Sequence, residues 1–313
     1  MKQRDSIVPI EYHADDFALF PEQSRRIISC HQNGRLNGVS AMPNSEYLAE
    51  CMALLRPHQE HIAITVHLNI MEGRSLCAPQ EIPMLVDSQG VFRGSFGGLL
   101  LRSCLPGRRA CREQLKKELR AQIAAVAPYY ADGMPLRIDG HAHYHMLPVV
   151  FDALMEVLQE ENRKVSYIRF PREHPMVYLR HWKQLQNFAP INLVKVILLN
   201  LLACRNRIKY RDYLGKLEQR LFLGVFLSGS MYHENVAAVL PDAIRLAQKR
   251  NCGIEILAHP GGVYEEGDIA QLTNGDDIRF LTSEARQKER TLFVKEEAQE
   301  NGGEKSELFA GSI

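Results

Sequence analysis

Twelve histidines occur in this 313-residue chain, and several stand beside carboxylates in a repeated arrangement. His13 precedes the pair Asp15-Asp16, and His67 and Asn69 close an apolar, β-type run. His141, His143 and His145 fall in the tract DGHAHYH behind Asp139, Arg169 follows a later run, and His259 precedes Pro260-Gly261-Gly262. Adjacent carboxylates repel each other, and burying both is costly unless a cation or donors compensate. A divalent metal does so directly, leaving one Asp as ligand and the other free as a base. The pair also suits the ordinary role of a helix cap and first-turn acid before Pro21, and His67 alone suits a hydrogen-bonded core position. The tract says more. In an extended segment residues i, i+2 and i+4 share one face, so His141, His143 and His145 are expected to converge. A His-rich tract at a strand end points to metal. Asp16, His67 and one His of the tract make two imidazoles and one carboxylate, the three-ligand set of a metal site with open positions.

Such residues need a scaffold, and the chain alternates β-type and α-type segments. β-type runs cover Ser6–Tyr12, Ile62–Leu68, Leu136–His141, Tyr167–Phe170, Phe222–Leu227 and Gly253–Leu257. Helical patterns cover Pro21–Asn33, Cys111–Val126, Val149–Leu158 and Glu234–Arg250, with Asn44 expected to cap a further helix bearing Leu48, Cys51, Met52 and Leu55. Arg279–Phe293 reads as a last strand or helix. The Gly- and Pro-bearing stretch Glu72–Leu105 reads as a lid or substrate loop. Residues 176–220 read as a mixed helical packing arm, lid or subunit contact. Six strands alternating with helices imply a parallel sheet with helices outside, closed as a barrel or open and doubly wound. No G-x-G-x-x-G follows the first strand, which weakens the dinucleotide-binding version. A barrel gathers its chemistry at the C-terminal ends of its strands, where the His and Asp residues above fall.

Composition narrows the class further. The formal net charge is +1, with 45% apolar and 24% charged residues and no basic block, so nucleic acid is not expected as a partner. Seven scattered cysteines without a C-x-x-C pair read as reduced thiols, and no secretory h-region opens the chain, so a cytoplasmic location is expected. The most apolar stretch, Val194–Ala203, is broken by Lys195 and Asn200 and falls short of the roughly 20 residues of a membrane span. Its face around Leu193–Leu202 fits a homodimer contact. Residues 296–313 are polar and Gly-bearing, the composition of a flexible tail. No G-x-S-x-G elbow is present, and no cysteine stands beside the His motifs.

The segments HADDFAL (13–19), GVSAMPNS (38–45), TVHLNIMEG (65–73), ELRAQI (118–123), RIDGHAHYHMLP (137–148) and ILAHPGG (256–262) resemble, in that order, the motifs of the YdjC-like carbohydrate deacetylases, a family that includes chito-oligosaccharide deacetylases. The resemblance implies a deacetylase-type (β/α) barrel, TIM-like with fewer than eight strands, as one domain over residues 1–295 that includes the insert 171–220. It implies Asp16, His67 and His141 as metal ligands, Asp15 as catalytic base and His259 as general acid. Arg169, His145, His13 and Asn69 are expected in the substrate pocket. It implies Mg²⁺, whereas two imidazoles and a carboxylate suit Zn²⁺ or another transition metal better. The chain departs from the family pattern at His13, Ala18 and Ala142, where Asn, Gly and a polar residue are usual. The expected reaction is hydrolysis of the acetyl group of an N-acetylated sugar. A metal-dependent hydrolase of another bond and a non-catalytic sugar-binding protein are the alternatives; retention of both Asp15 and Asp16 argues against the second.

Overall fold

The computed structural model describes residues 7–293 except 271, 273 and 274, and the backbone but not the side chains of 275–277. The expected tail at 296–313 lies outside the described residues. Strands β1 (Ile10–Phe17), β2 (Gly38–Ala41), β3 (Ala63–Leu68), β4 (Leu136–Gly140), β5 (Val165–Ile168), β6 (Arg220–Leu223) and β7 (Gly253–Ala258) form one sheet in the order β5-β4-β3-β2-β1-β7-β6. Every pairing is parallel. The sheet curls into a half-barrel whose outer strands, β5 and β6, do not pair among the described residues. Among the described residues, one backbone bond spans the gap, Glu218 N–H to Ser166 O at 2.9 Å.

Between the strands run α1 (Pro21–Gln32), α2 (Leu48–Leu55), α3 (Phe96–Arg102), α4 (Arg108–Val126), α5 (Pro148–Glu160), α6 (Pro175–Leu179), α7 (Ile191–Lys209), α8 (Arg211–Leu214) and α9 (His233–Arg250). The last segment is helical, with short helices at Glu266–Ile269, Gly275–Leu281 and Glu284–Glu289.

Alternation along the strands separates two environments. Tyr12, Ala14, Val39, Ile64, Val66, Ile138, Ile254 and Ile256 join the apolar core with the helices. The intervening residues turn inward, and there the barrel is polar: Glu11, His13, Asp15, Ser40, His67, Asp139, Arg169 and Glu255 are all buried. Arg169, just past β5, ties this interior together, reaching Asp15 on β1 at 2.8 Å, Asp139 on β4 at 2.6 Å and Glu255 on β7 at 2.7 Å.

Several expectations need correcting. Strand β2 has no counterpart among the expected runs, because four small or branched residues, GVSA, are too short to display a period. Strand β1 begins later and runs to Phe17, so Asp15 and Asp16 belong to the strand and not to a loop after it. Asn44 does not cap α2, whose N-cap is Tyr47. Asn44 instead donates to the carbonyls of Glu72 and Arg74 at 3.0 and 2.9 Å, fixing the start of the 72–105 segment, which itself contains α3. The tract after β4 is not extended. It forms a tight 3₁₀ turn in which Ala142 and His143 have φ of 45° and 59°, so the three histidines do not share one face: His141 reaches Asp16, whereas His145 turns to the Arg169 carbonyl.

Candidate metal centre and cavity

At the end of β1 the backbone bends sharply, with Asp16 at φ 63° and Ala18 at φ 74°. Left-handed geometry is unfavourable for residues with a Cβ and gathers at functional sites. The bend turns the neighbouring Asp15 and Asp16 towards different partners. Asp15 accepts from Arg169 Nη1 at 2.9 and 2.8 Å. Asp16 places Oδ1 2.9 Å from His141 Nδ1 and 3.5 Å from His67 Nε2, while its Oδ2 accepts from Arg286 Nη2 at 3.0 Å.

One donor atom each from Asp16, His67 and His141 lies within 4.8 Å of the others. His67 Nε2 is buried and has no hydrogen-bond partner among the described residues, a costly state for a ring nitrogen unless something else occupies its lone pair. Its other nitrogen, Nδ1, is 2.7 Å from Asp139 Oδ1, and the far nitrogen of His141 is 2.9 Å from Glu72 Oε1. Carboxylates behind ligating imidazoles are the usual second layer of metal sites, fixing the tautomer and ring orientation. The donor set therefore fits a divalent cation. Two other acid–His clusters, Glu11/His13/Glu255 and His13/Asp15/Asp139, also place donor atoms close together. There both His13 nitrogens are already engaged, by Glu11 Oε1 at 2.8 Å and Ser40 Oγ at 2.7 Å, and Arg137, Arg169 and Arg220 neutralise the acids.

The charges agree with this reading. Burial pulls the His67 pKa down, but Asp139 and Asp15 outweigh it and raise it to about 9. Burial likewise opposes a charged His141, and Glu72 and Asp16 hold it well above its ordinary value. Both imidazoles thus attract positive charge in a pocket of carboxylates, where a metal ion would compete with protons. Burial disfavours ionised Asp16, yet His141, His67 and Arg286 keep its pKa well below the usual range. Asp15 is lowered too, against burial, chiefly by Arg169. His143 is pushed well below by burial and the nearby Arg169.

Above these groups opens a cavity of about 440 Å³, with Asp15, Asp16, His141, His143 and His259 on its wall. His259 follows β7, is one-fifth exposed, and has its backbone N–H held by Glu289 Oε2 at 2.6 Å, with Nδ1 at 3.6 Å from the same oxygen.

The residues expected in the substrate pocket lie elsewhere. His13, Asn69, Arg169 and His145 are at most 1% exposed, and none lines the cavity. His145 Nε2 bonds the Arg169 carbonyl at 2.8 Å, and Asn69 accepts from Met71 and Glu72 N–H at 3.0 and 3.1 Å. These four residues hold the site from behind: His13 faces inward from β1 below the rim, while Asn69, His145 and Arg169, which follow β3, β4 and β5, are turned into buried hydrogen bonds. Conversely, sequence reasoning missed Glu72, Arg286 and Glu289. Glu72 stands inside the quoted TVHLNIMEG motif. Arg286 and Glu289 belong to a short charged helix with no local mark of burial.

A parallel half-barrel with acids and imidazoles gathered at the C-terminal strand ends is a TIM-like α/β protein with a candidate metal centre. The chain belongs to the YdjC-like family, whose model matches residues 10–301. It is 30% identical over 171 residues to a carbohydrate deacetylase of Xenopus laevis (54% of this chain, 53% of that protein). It is 28% identical over 156 residues to a carbohydrate deacetylase of Brevibacillus brevis (50% and 57%) and 28% over 149 residues to a chitooligosaccharide deacetylase of Proteus mirabilis (48% and 54%). The matches thus span little more than half of each relative. A crystal structure from Enterococcus faecalis, described as a candidate cellobiose-phosphate cleavage protein, superposes with a TM-score of 0.58 over 93% of this chain and 97% of that one, at 18% identity. That likeness speaks to the fold alone.

Proposed function

We propose that this protein is a metal-dependent hydrolase that removes the acetyl group from an N-acetylated sugar, with water consumed and acetate and the free amine released. The observation that carries this reading is the division of labour between two neighbouring carboxylates. Asp16 stands with His67 and His141, whereas Asp15 stands outside that donor set, paired with Arg169 on the same cavity wall. The deacetylase relatives supply the bond to be broken.

Asp16, His67 and His141 would hold the cation, and Asp139 and Glu72 would orient the two imidazoles. When bound, a divalent metal supplies Lewis acidity, which acidifies water and polarises a carbonyl oxygen. Asp15, kept ionised by Arg169, accepts the proton of the attacking water. His259 passes a proton to the departing nitrogen, and Glu289 holds it in position. The wall residues exclude bulk water and orient the acetyl group.

The family resemblance favours Mg²⁺, while the mixed nitrogen and oxygen donors favour Zn²⁺ or another transition metal. The test is acetate release from a panel of N-acetylated mono- and oligosaccharides, using stripped protein reloaded separately with Mg²⁺, Mn²⁺, Co²⁺, Ni²⁺ and Zn²⁺. Release that depends on the metal supports the reading. Equal release by stripped protein removes the metal from it, and no release from metal-loaded protein removes the deacetylation.

A further inference from the structure

The cavity is polar at its floor and largely apolar above it. Away from Asp15, Asp16 and the three histidines, its polar side chains are Lys195, Ser228 and Tyr144. Met71, Phe96, Leu198, Leu199, Val225 and Phe280 make up most of the remaining wall. A free oligosaccharide carries a hydroxyl on most ring carbons, and each one desolvated without a partner is penalised. Aromatic rings can stack on the C–H faces of a sugar, which accounts for Phe96 and Phe280. Nothing in a sugar calls for a wall of Met, Leu and Val.

Helix α7 extends this apolar wall outwards. Leu198 lines the cavity, and positions i−7, i−4 and i+3 from it share its helical face. Those positions are Ile191, Val194 and Leu201, which are 58%, 58% and 65% exposed. A helix face turned to water normally carries charged residues of both signs. The α7 sequence, INLVKVILLNLLACRNRIK, contains no acid at all. The apolar stripe is thus continuous with the cavity wall and runs from it to the open surface.

We propose that the substrate is an amphiphile: an N-acetylated sugar joined to an apolar aglycone, which leaves the cavity along the Ile191–Val194–Leu198–Leu201 stripe of α7. This rests on the deacetylase reading for the sugar end only. The acetamide enters to Asp15 and Asp16, and the aglycone covers aliphatic surface that is otherwise exposed to water.

The test compares metal-loaded enzyme on methyl and octyl N-acetyl-β-glucosaminide below the micellar concentration. Each methylene fully buried is worth about fourfold in binding, so burying two gives the octyl glycoside an advantage of about fifteenfold in kcat/KM, expressed in KM. Val194→Gln and Leu201→Gln each reduce that ratio several-fold towards one. Equal kcat/KM for the two glycosides, or an octyl advantage that neither substitution changes, overturns the proposal. Calorimetric titration with the same two glycosides separates it from the deacetylase reading. Tighter octyl binding, erased by Val194→Gln and Leu201→Gln, without acetate release from either compound keeps the α7 assignment and removes the deacetylation. Absence of any binding preference removes the assignment. If a second copy of the chain covers the stripe instead, sedimentation shows a dimer that Leu201→Gln splits while the substrate ratio stays unmoved, which also overturns the proposal.

Discussion

Asp15→Asn tests the division between the two carboxylates most directly. The change keeps the side chain's size and removes its ability to take a proton. Asp15 lies outside the Asp16/His67/His141 donor set, so metal content should stay within error of the parent protein. A general base contributes about 10²–10⁴-fold to rate, and with acetate release as the assay we expect kcat to fall about 10³-fold with KM changed less than about threefold. The structural cost is bounded by the partners Arg169 retains. Removing one partner of a buried ion pair costs about 3–5 kcal/mol when the remaining charge is stranded. Arg169 still has Asp139 Oδ2 at 2.6 Å and Glu255 Oε1 at 2.7 Å, so the loss should lie nearer 1–2 kcal/mol and be visible as a modest drop in Tm. The variant should therefore be folded, metal-loaded and nearly inert. Turnover within tenfold of the parent would refute Asp15 as the base. Loss of metal together with activity would refute its separation from the ligand set.

Other outcomes follow from the same geometry. Asp16→Ala and His141→Ala should each lose metal and activity together, and full metal occupancy in both would refute the ligand assignment. Glu72→Gln removes the carboxylate behind His141 and should weaken metal affinity about 10–100-fold, measured by competition with a chelator. Glu173 is fully buried and accepts the backbone N–H groups of Gly224, Val225 and Phe226 at 2.6, 2.6 and 2.9 Å, which fixes the loop that supplies Val225 to the cavity. Burial, only partly offset by those three donors, raises its pKa from 4.5 to about 7. A carboxyl that holds its proton more tightly when folded adds stability that is complete below its unfolded pKa and is lost as pH rises through the folded value. The chain's stability should therefore decline between about pH 4.5 and 7 through this group, by on the order of 3 kcal/mol. Glu173→Gln should remove that component from the pH dependence of Tm, and an unchanged slope would refute the assignment.

The alternation of strands and helices was legible because several strands are short apolar runs between helical segments, the clearest being the β-branched IAITVHL at 62–68. Strand β2 was hidden by its length. The acids and imidazoles that meet at the rim were legible from residue type and from their recurrence after successive strands. Their depth was not. His13 and Arg169 read as pocket residues because a motif shows which side chains cluster and not which of them the rim covers. The tract at 141–145 misled for a related reason. Nothing in the letters Ala142 and His143 marks left-handed backbone, which glycine would have signalled. Arg286 and Glu289 reach the site from a helix near the far end of the chain, a long-range contact that no local pattern carries.

The polar filling of the half-barrel also bears on how the sheet finds its pairing. In most sheets a strand that slips by one residue exchanges apolar for weakly polar neighbours. Here a one-residue slip of β1 would drive Glu11, His13 and Asp15 into the helix layer and pull Tyr12 and Ala14 into a nest of guanidinium and carboxylate groups. Several buried charges would be stranded at once. Misaligned forms of this chain are therefore separated from the native one by a large energy gap, and alternative pairings should not persist during refolding. The same ion-pair lattice that aims Asp15 at the cavity keeps the strands in step.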